Sequence, residues 1–274
     1  MCIRDRCWVC LVSGSIGKDV EQYEGAFVFP TYAGLYTQGV GTVDVNSLYP
    51  NTARSLNLSP ETMVGTVEKI DLDGGKTFRY SISFVDGRTA EMDEESFERL
   101  LETTCILARN NVLFLKHEVQ KGIFSEWCGK FFNMRKSYKK LKARYKDMRQ
   151  ELADEIAKRG TETPEEHERL AELDALVEQY DTTQYALKIL INSAYGTLGT
   201  TYSPLYDTRL AEAITLNGQF CNRSTSKFLN EYFQKNYGTS EKFNITISGD
   251  TDSVRGDMEL DLLLNEVEVK IPQR

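Results

Sequence analysis

No uninterrupted apolar run in these 274 residues approaches the roughly 18 needed to cross a bilayer, so no membrane partner is expected. A basic surplus is missing too. The net charge is −8, which excludes a molecule coated in positive surface but leaves room for a local cationic stripe on phosphates. The six cysteines show no spacing of a disulfide framework or a zinc site. Cys2, Cys7 and Cys10 crowd one end, Cys7 and Cys10 as a lone CxxC, while Cys105, Cys128 and Cys221 stand far apart, a pattern that fits a reducing cytosol. Internal repeats and low-complexity linkers are also absent. What is present is an ordinary globular composition, 41% hydrophobic and 27% charged, with enough chain for one large domain or two modest ones.

Residues 1–22 are set apart as an artefact or a truncated end. Met1 to Cys10 has an apolar part too short for a signal-peptide core and resembles a stretch that recurs in translations of sequencing-adapter read-through. At the other end, 267–271 reads as a strand and the chain stops at Arg274 without a terminal signature. Both ends are read as cut.

Residues 25–50 are strand-like, with Ala26-Phe27-Val28-Phe29 as an apolar run, Pro30 and Gly34 as breakers, and a second run up to Val45. Residues 64–84 suggest a hairpin whose turn is Asp73-Gly74-Gly75, followed by a short helix over 93–101. From Ile123 the period changes. Phe131, Met134, Tyr138, Leu141, Tyr145, Met148 and Leu152 recur at three and four, a helical stripe. Gly160 stops it, and Thr163-Pro164-Glu165-Glu166 reads as a cap, a proline at the first helical position and two acids on the positive end of the dipole. A second stripe runs from Leu170 through Leu173, Val177, Tyr180, Gln184, Leu187 and Ile191 to Ala194. The two make an antiparallel helical hairpin with Gln184 as the one polar break in its seam. A turn after Gly199, a helix over 210–233 and a hairpin over 248–253 complete the outline.

Charge on the helical hairpin is polarised. Residues 130–149 hold nine cations against Asp147, and residues 150–181 hold eleven acids against Lys158, Arg159 and Arg169. Arg135, Lys139, Lys142, Lys146 and Arg149 each lie one residue past the apolar stripe, about 100° round the helix, and form a cationic ridge beside the seam. A solvated basic face explains the ridge equally well.

Three constellations carry chemistry. In Asp44-Val45-Asn46-Ser47-Leu48-Tyr49-Pro50 an acid ends a strand and a turn with an exposed aromatic follows. Lys188, Asn192 and Tyr195, next to Gly196, share one helical face. In Ser248-Gly249-Asp250-Thr251-Asp252-Ser253 two acids sit one residue apart at a hairpin tip, where they repel unless a hard divalent ion neutralises them. Each alone fits a bland alternative: a strand-terminating acid, a polar helix face, a solvated loop.

In this order the three resemble the polymerase motifs of the family B DNA polymerases. Flanking segments agree: Gly25-Ala26-Phe27-Val28 ahead of the first motif, Asn57-Leu58-Ser59-Pro60-Glu61-Thr62 after it, Phe132-Asn133-x-Arg135-Lys136 and Tyr206-Asp207-x-Arg209-Leu210-Ala211. Several are similar to the replicative enzymes of large tailed bacteriophages, and the resemblance spans about residues 23–254.

It implies an α+β fold, a polymerase palm of antiparallel sheet with packed helices, interrupted by a long antiparallel fingers hairpin. Palm would occupy 23–122 and 199–274, fingers 123–198, with thumb and exonuclease outside this sequence. The implied activity is template-directed DNA synthesis from deoxynucleoside triphosphates on primer–template DNA. Asp44 and Asp252 are the implied ligands of two Mg²⁺ ions, with Mn²⁺ as a substitute, the Val45 carbonyl completing one shell and Asp250 nearby. Ser47 and Leu48 would offer backbone N–H groups to the triphosphate, and Tyr49 would sit under the sugar and exclude a 2′-hydroxyl. Arg135, Lys139, Lys188 and Asn192 would grip the triphosphate. Tyr195, Gly196 and Thr251 would meet the nascent base pair and the DNA.

A sliding clamp, engaged through regions outside this sequence, and the cytoplasm of an infected bacterial host are the implied partner and location. Two departures stand out: Ser248 replaces the aromatic usual before Gly249, and Val254-Arg255-Gly256-Asp257 breaks the apolar strand expected there. The competing readings are a non-catalytic nucleic-acid-binding remnant, against which the retained acids and cations speak, and a protein-primed subclass.

Overall fold

A computed structural model describes residues 22–34, 40–75, 77–237 and 246–257. The strand expected over 267–271, the Cys7-Cys10 pair and the artefact assigned to the first residues lie outside them. Among the described residues eight strands form two antiparallel sheets. One has the order β1 (Val40–Asp44), β8 (Ser253–Asp257), β7 (Thr246–Asp250). The other has the order β4 (Thr89–Asp93), β3 (Phe78–Phe84), β2 (Met63–Asp71), β6 (Val112–Leu115), β5 (Cys105–Leu107). The helices are α1 (Leu48–Ser55), α2 (Glu94–Thr103), α3 (Ile123–Arg159), α4 (Pro164–Leu198) and α5 (Thr208–Tyr237). Mixed α+β with a long helical hairpin is therefore the observed class.

Helices α3 and α4 form as their stripes require. Every stripe residue named above is buried or half-buried, whereas most of their neighbours are exposed. Gly160 ends α3 in the left-handed conformation at φ 75°, which glycine adopts without a Cβ clash. Thr163 and Glu166 close a capping box, with Pro164 in the first turn. The start of α3 is capped from a distance, because Gly122 offers no side chain. Ser59 Oγ accepts from the Phe124 N–H (3.1 Å) and Glu61 accepts from the Ile123 N–H. Fully buried Asn57 donates to the carbonyls of Leu115 and Gln120 and accepts from the Gly122 N–H. The segment 57–62 is thus a polar hub that docks the hairpin.

The principal core lies where both ends of that hairpin meet α1 and α5, around Leu58, Phe114, Leu198, Leu210 and Ile214. A second cluster under the five-stranded sheet joins Val67, Ile82, Phe97 and Leu113. Cys105 and Cys128 are buried free thiols, and burial pushes Cys128 up to about 11, the behaviour of a packing residue.

Several expectations change. The apolar run at 26–29 is no strand; it touches the sheet through one bridge, Phe29 to Gly249. The β2–β3 hairpin is present, its turn bound by Asp71 Oδ1, which accepts from the N–H groups of Asp73 and Gly75, but β4, β5 and β6 extend it to five strands. The helix expected over 93–101 is Glu94–Thr103, and that over 210–233 is Thr208–Tyr237. Val254 to Asp257 continue as strand despite Arg255 and Gly256. β8 is paired on both edges, so ladder hydrogen bonds outweigh propensity, and Arg255 points to solvent while Val254 is buried.

Candidate active site

The β7–β8 ladder pairs Asp250 with Ser253, leaving Thr251-Asp252 as a two-residue turn. On the other edge of β8, Asp44 at the end of β1 stands opposite Ser253, and the Val45 N–H donates to the Asp252 carbonyl at 2.8 Å. Two ends of the chain thereby set Asp44 beside Asp252. Partial burial, then the Asp44 charge, and to a smaller degree that of Asp250, raise the Asp252 carboxyl above the ordinary range. A hydrogen bond from its own backbone and the Lys188 charge oppose them. Asp250 turns into its own turn, its Oδ1 accepting from the Thr251 N–H (2.7 Å) and hydroxyl (3.2 Å).

Among the described residues no three acids, histidines or cysteines converge as a ready-made cage. The donor set is two carboxylates and the nearby Val45 carbonyl. These are hard oxygen ligands in mutual repulsion, and they fit a hard divalent cation that keeps some of its own waters.

The face beside the acids is aromatic. Tyr49, read as exposed, is half-buried instead. Its ring lies against Gly218, where a Cβ would come within 3.2 Å of it, and 4.6 Å from the Tyr195 ring. Burial first, then Tyr23, Asp252 and Asp250, raise the Tyr49 phenol. Tyr195 is raised by burial and by the Tyr23 hydroxyl, 3.1 Å from its own. Ser47 precedes α1 in the left-handed conformation at φ 54°, an uncommon backbone for a residue with a Cβ. It turns the chain so that the N–H groups at the start of α1 follow the acid directly.

On α4, Lys188, Asn192 and Gly196 are exposed. Of these, Lys188 acts electrostatically on Asp252, and nothing lies within 4 Å of a Cβ placed on Gly196. On α3, Arg135 is half-buried with an enclosed Nε that has no partner, and Lys139 is exposed. The contacts link Asp44, Val45, Tyr49, Tyr195 and the 250–252 turn, with Lys188 acting through its charge; among the described residues Arg135, Lys139 and Asn192 form no hydrogen bond or ion pair with the acids. The cationic ridge also divides. Lys142 pairs with Asp181 (2.7 Å) and Arg149 with Asp174 (2.9 Å), because the acid-rich second helix packs alongside. Among the described residues, Arg135, Lys139 and Lys146 of the ridge form no ion pair.

Sequence reasoning passed over Tyr23, Gly218 and Asn222, which hold the site from behind. The only signals were a tyrosine two residues before Gly25 and a glycine inside a helical pattern.

A family model described as DNA polymerase family B matches residues 5–157 and 168–267. The DNA-directed DNA polymerase of Enterobacteria phage T4 is 30% identical over 265 residues, covering 87% of this chain and 27% of the relative. The DNA-directed DNA polymerase of Escherichia phage RB69 is 28% identical, covering 86% and 26%. A DNA polymerase delta catalytic subunit of Glycine max is 26% identical, covering 87% and 17%. The chain thus spans about a quarter of the length of the two phage relatives it matches.

Proposed function

Because the chain belongs to family B of the DNA polymerases, we propose that it bears the nucleotidyl-transfer site of template-directed DNA synthesis, in the replication machinery of a virus within a bacterial host. The observation that carries this reading is the β1–β8–β7 ladder, which sets Asp44 beside Asp252. Residues 23–122 and 199–274 are assigned to palm and 123–198 to fingers.

Asp44, Asp252 and the Val45 carbonyl would hold two Mg²⁺ ions, or Mn²⁺ in their place. When bound, such ions acidify a primer 3′-hydroxyl and stabilise pyrophosphate as it leaves. The chain's own part is placement. Ser47 and Leu48 present N–H groups at the start of α1 to a triphosphate, where the helix dipole favours an anion. Tyr49, backed by Gly218 and Tyr195, offers a ring that a deoxyribose can lie on and a 2′-hydroxyl would strike. Lys188 adds a cation on the acid side. Arg135, Lys139 and Asn192 would reach the triphosphate by a movement of the hairpin, and the unpaired Arg135 guanidinium nitrogen supports that role through its fork geometry. Tyr195, Gly196 and Thr251 line the space for the new base pair.

Primer extension with Mg²⁺ and deoxynucleotides tests the assignment, with Asp252→Asn alongside. Extension that disappears in the variant supports it; extension equal in both contradicts it.

A further inference from the structure

Helix α5 carries a polar stripe on its buried face. Thr215, Gln219, Asn222 and Ser226 are each less than a tenth exposed, at spacings of four, three and four that align them along the helix. A buried polar side chain left unpaired is destabilising, so the partners say what the stripe does. Thr215 Oγ1 donates to the Glu24 carbonyl (2.6 Å) and Gln219 Nε2 to the Gly25 carbonyl (2.7 Å). Ser226 Oγ meets Thr246 Oγ1 at 2.6 Å, at the start of β7. Between them, Asn222 Nδ2 donates to the Asp250 carbonyl at 2.6 Å, with the Thr251 carbonyl at 3.5 Å. Among the described residues Asn222 Oδ1 accepts from no donor, so the donor ties the side chain in place here. One turn earlier on the same helix, Gly218 admits the Tyr49 ring.

We propose that Asn222 is a positioning residue for the acidic turn, an inference that rests on the reading of that turn given above. Repulsion between Asp44, Asp250 and Asp252 pushes the two-residue tip to swing away. Three backbone anchors resist: the Asp250–Ser253 ladder, the Val45 N–H on the Asp252 carbonyl, and the Asn222 amide on the Asp250 carbonyl. The third comes from a helix, and it registers the turn against the helix that also seats Tyr49. Asn222 thereby sets the separation of the Asp44 and Asp252 carboxylates and their height relative to the Tyr49 ring, touching neither ion nor substrate.

The deciding experiment is amide hydrogen exchange of the metal-free chain, comparing wild type with Asn222→Leu and the isosteric Asn222→Asp. Exchange at residues 251–253 should rise about tenfold while α3 and α4 exchange as in wild type. Mn²⁺ affinity, read from the free-ion EPR signal, should fall roughly tenfold, as for other groups that orient a ligand. Ser226→Ala, which loses a neighbouring buried bond away from the turn, should lower Tm and leave Mn²⁺ affinity unchanged. Should Asn222→Leu lose the global fold, Asn222→Asp decides when read at a pH where side-chain NMR shows its carboxyl ionised, since it then keeps the shape and has no donor. Wild-type exchange at 251–253 in Asn222→Asp overturns the proposal. A wild-type chain that extends no primer counts against the polymerase reading and leaves the exchange result to judge Asn222 independently.

Discussion

The helical hairpin α3–α4 and the acidic turn between β7 and β8 treat charge in opposite ways. Along the hairpin opposite signs meet at several places: Lys142 with Asp181, Arg149 with Asp174, Arg159 with Glu166. Asp181 is held below the ordinary carboxylate range by Lys142 and then Gln184, and Glu166 by Arg159 and then the Thr163 N–H. At the turn like meets like, and Asp252 is held above that range by burial and by Asp44. Charge paired within the chain is chemically spent. Charge concentrated without a partner, where burial raises the penalty, is charge arranged for a ligand.

The contrast breaks most visibly at the turn. Asp252→Asn should lower nucleotide transfer about a thousandfold or more while the helical circular dichroism signal stays at its wild-type value. Activity within tenfold of wild type would place the chemistry elsewhere. Next in size is packing. Leu198 is fully buried where α4 enters the core, and Leu198→Ala should cost about 2–5 kcal/mol in denaturant titration. Leu170, half-buried near the hairpin tip, should cost clearly less when made alanine. Thr163→Ala removes the capping box and should cost about 1 kcal/mol, confined by hydrogen exchange to the first turns of α4. Lys142→Gln should shift the denaturant midpoint least of these, because its ion pair with Asp181 is solvated.

The smallest effect is the most discriminating, because its sign differs between the regions. Asp181 and Glu166 are depressed, so their stabilisation is present above their unfolded pKa values and is lost as pH falls through the folded ones. Asp252 is raised. The folded turn binds its proton more tightly than the unfolded chain, so stability is fullest below the unfolded value and is lost as pH rises through the folded one. Side-chain carboxyl NMR should show Asp252 titrating above an ordinary aspartate and Asp181 below it; the same side for both would remove the distinction.

The hairpin was legible in the sequence because its signals are local: a period near 3.6, a glycine stop and a capping box each act within a few residues. The acidic motifs were legible as order and spacing. The five-stranded sheet was not, since the short β6 depends on pairing with β2, β5 on pairing with β6, and both on the core beneath. Nor were the supports of the site, because Gly218, Asn222 and Tyr23 acquire meaning only when α5 and the segment at 22–34 pack behind the turn. The ridge misled in part for a related reason: the partners of Lys142 and Arg149 lie on the other helix, brought near by the antiparallel return.

The most direct measurement is Mn²⁺ titrated into the metal-free chain and followed by paramagnetic broadening of amide NMR signals. Broadening that begins at Asp44, Val45 and Asp252, at concentrations that leave the acid-rich residues 162–181 sharp, is the predicted result. Broadening that begins on those hairpin acids, or spreads evenly over both regions, would contradict it.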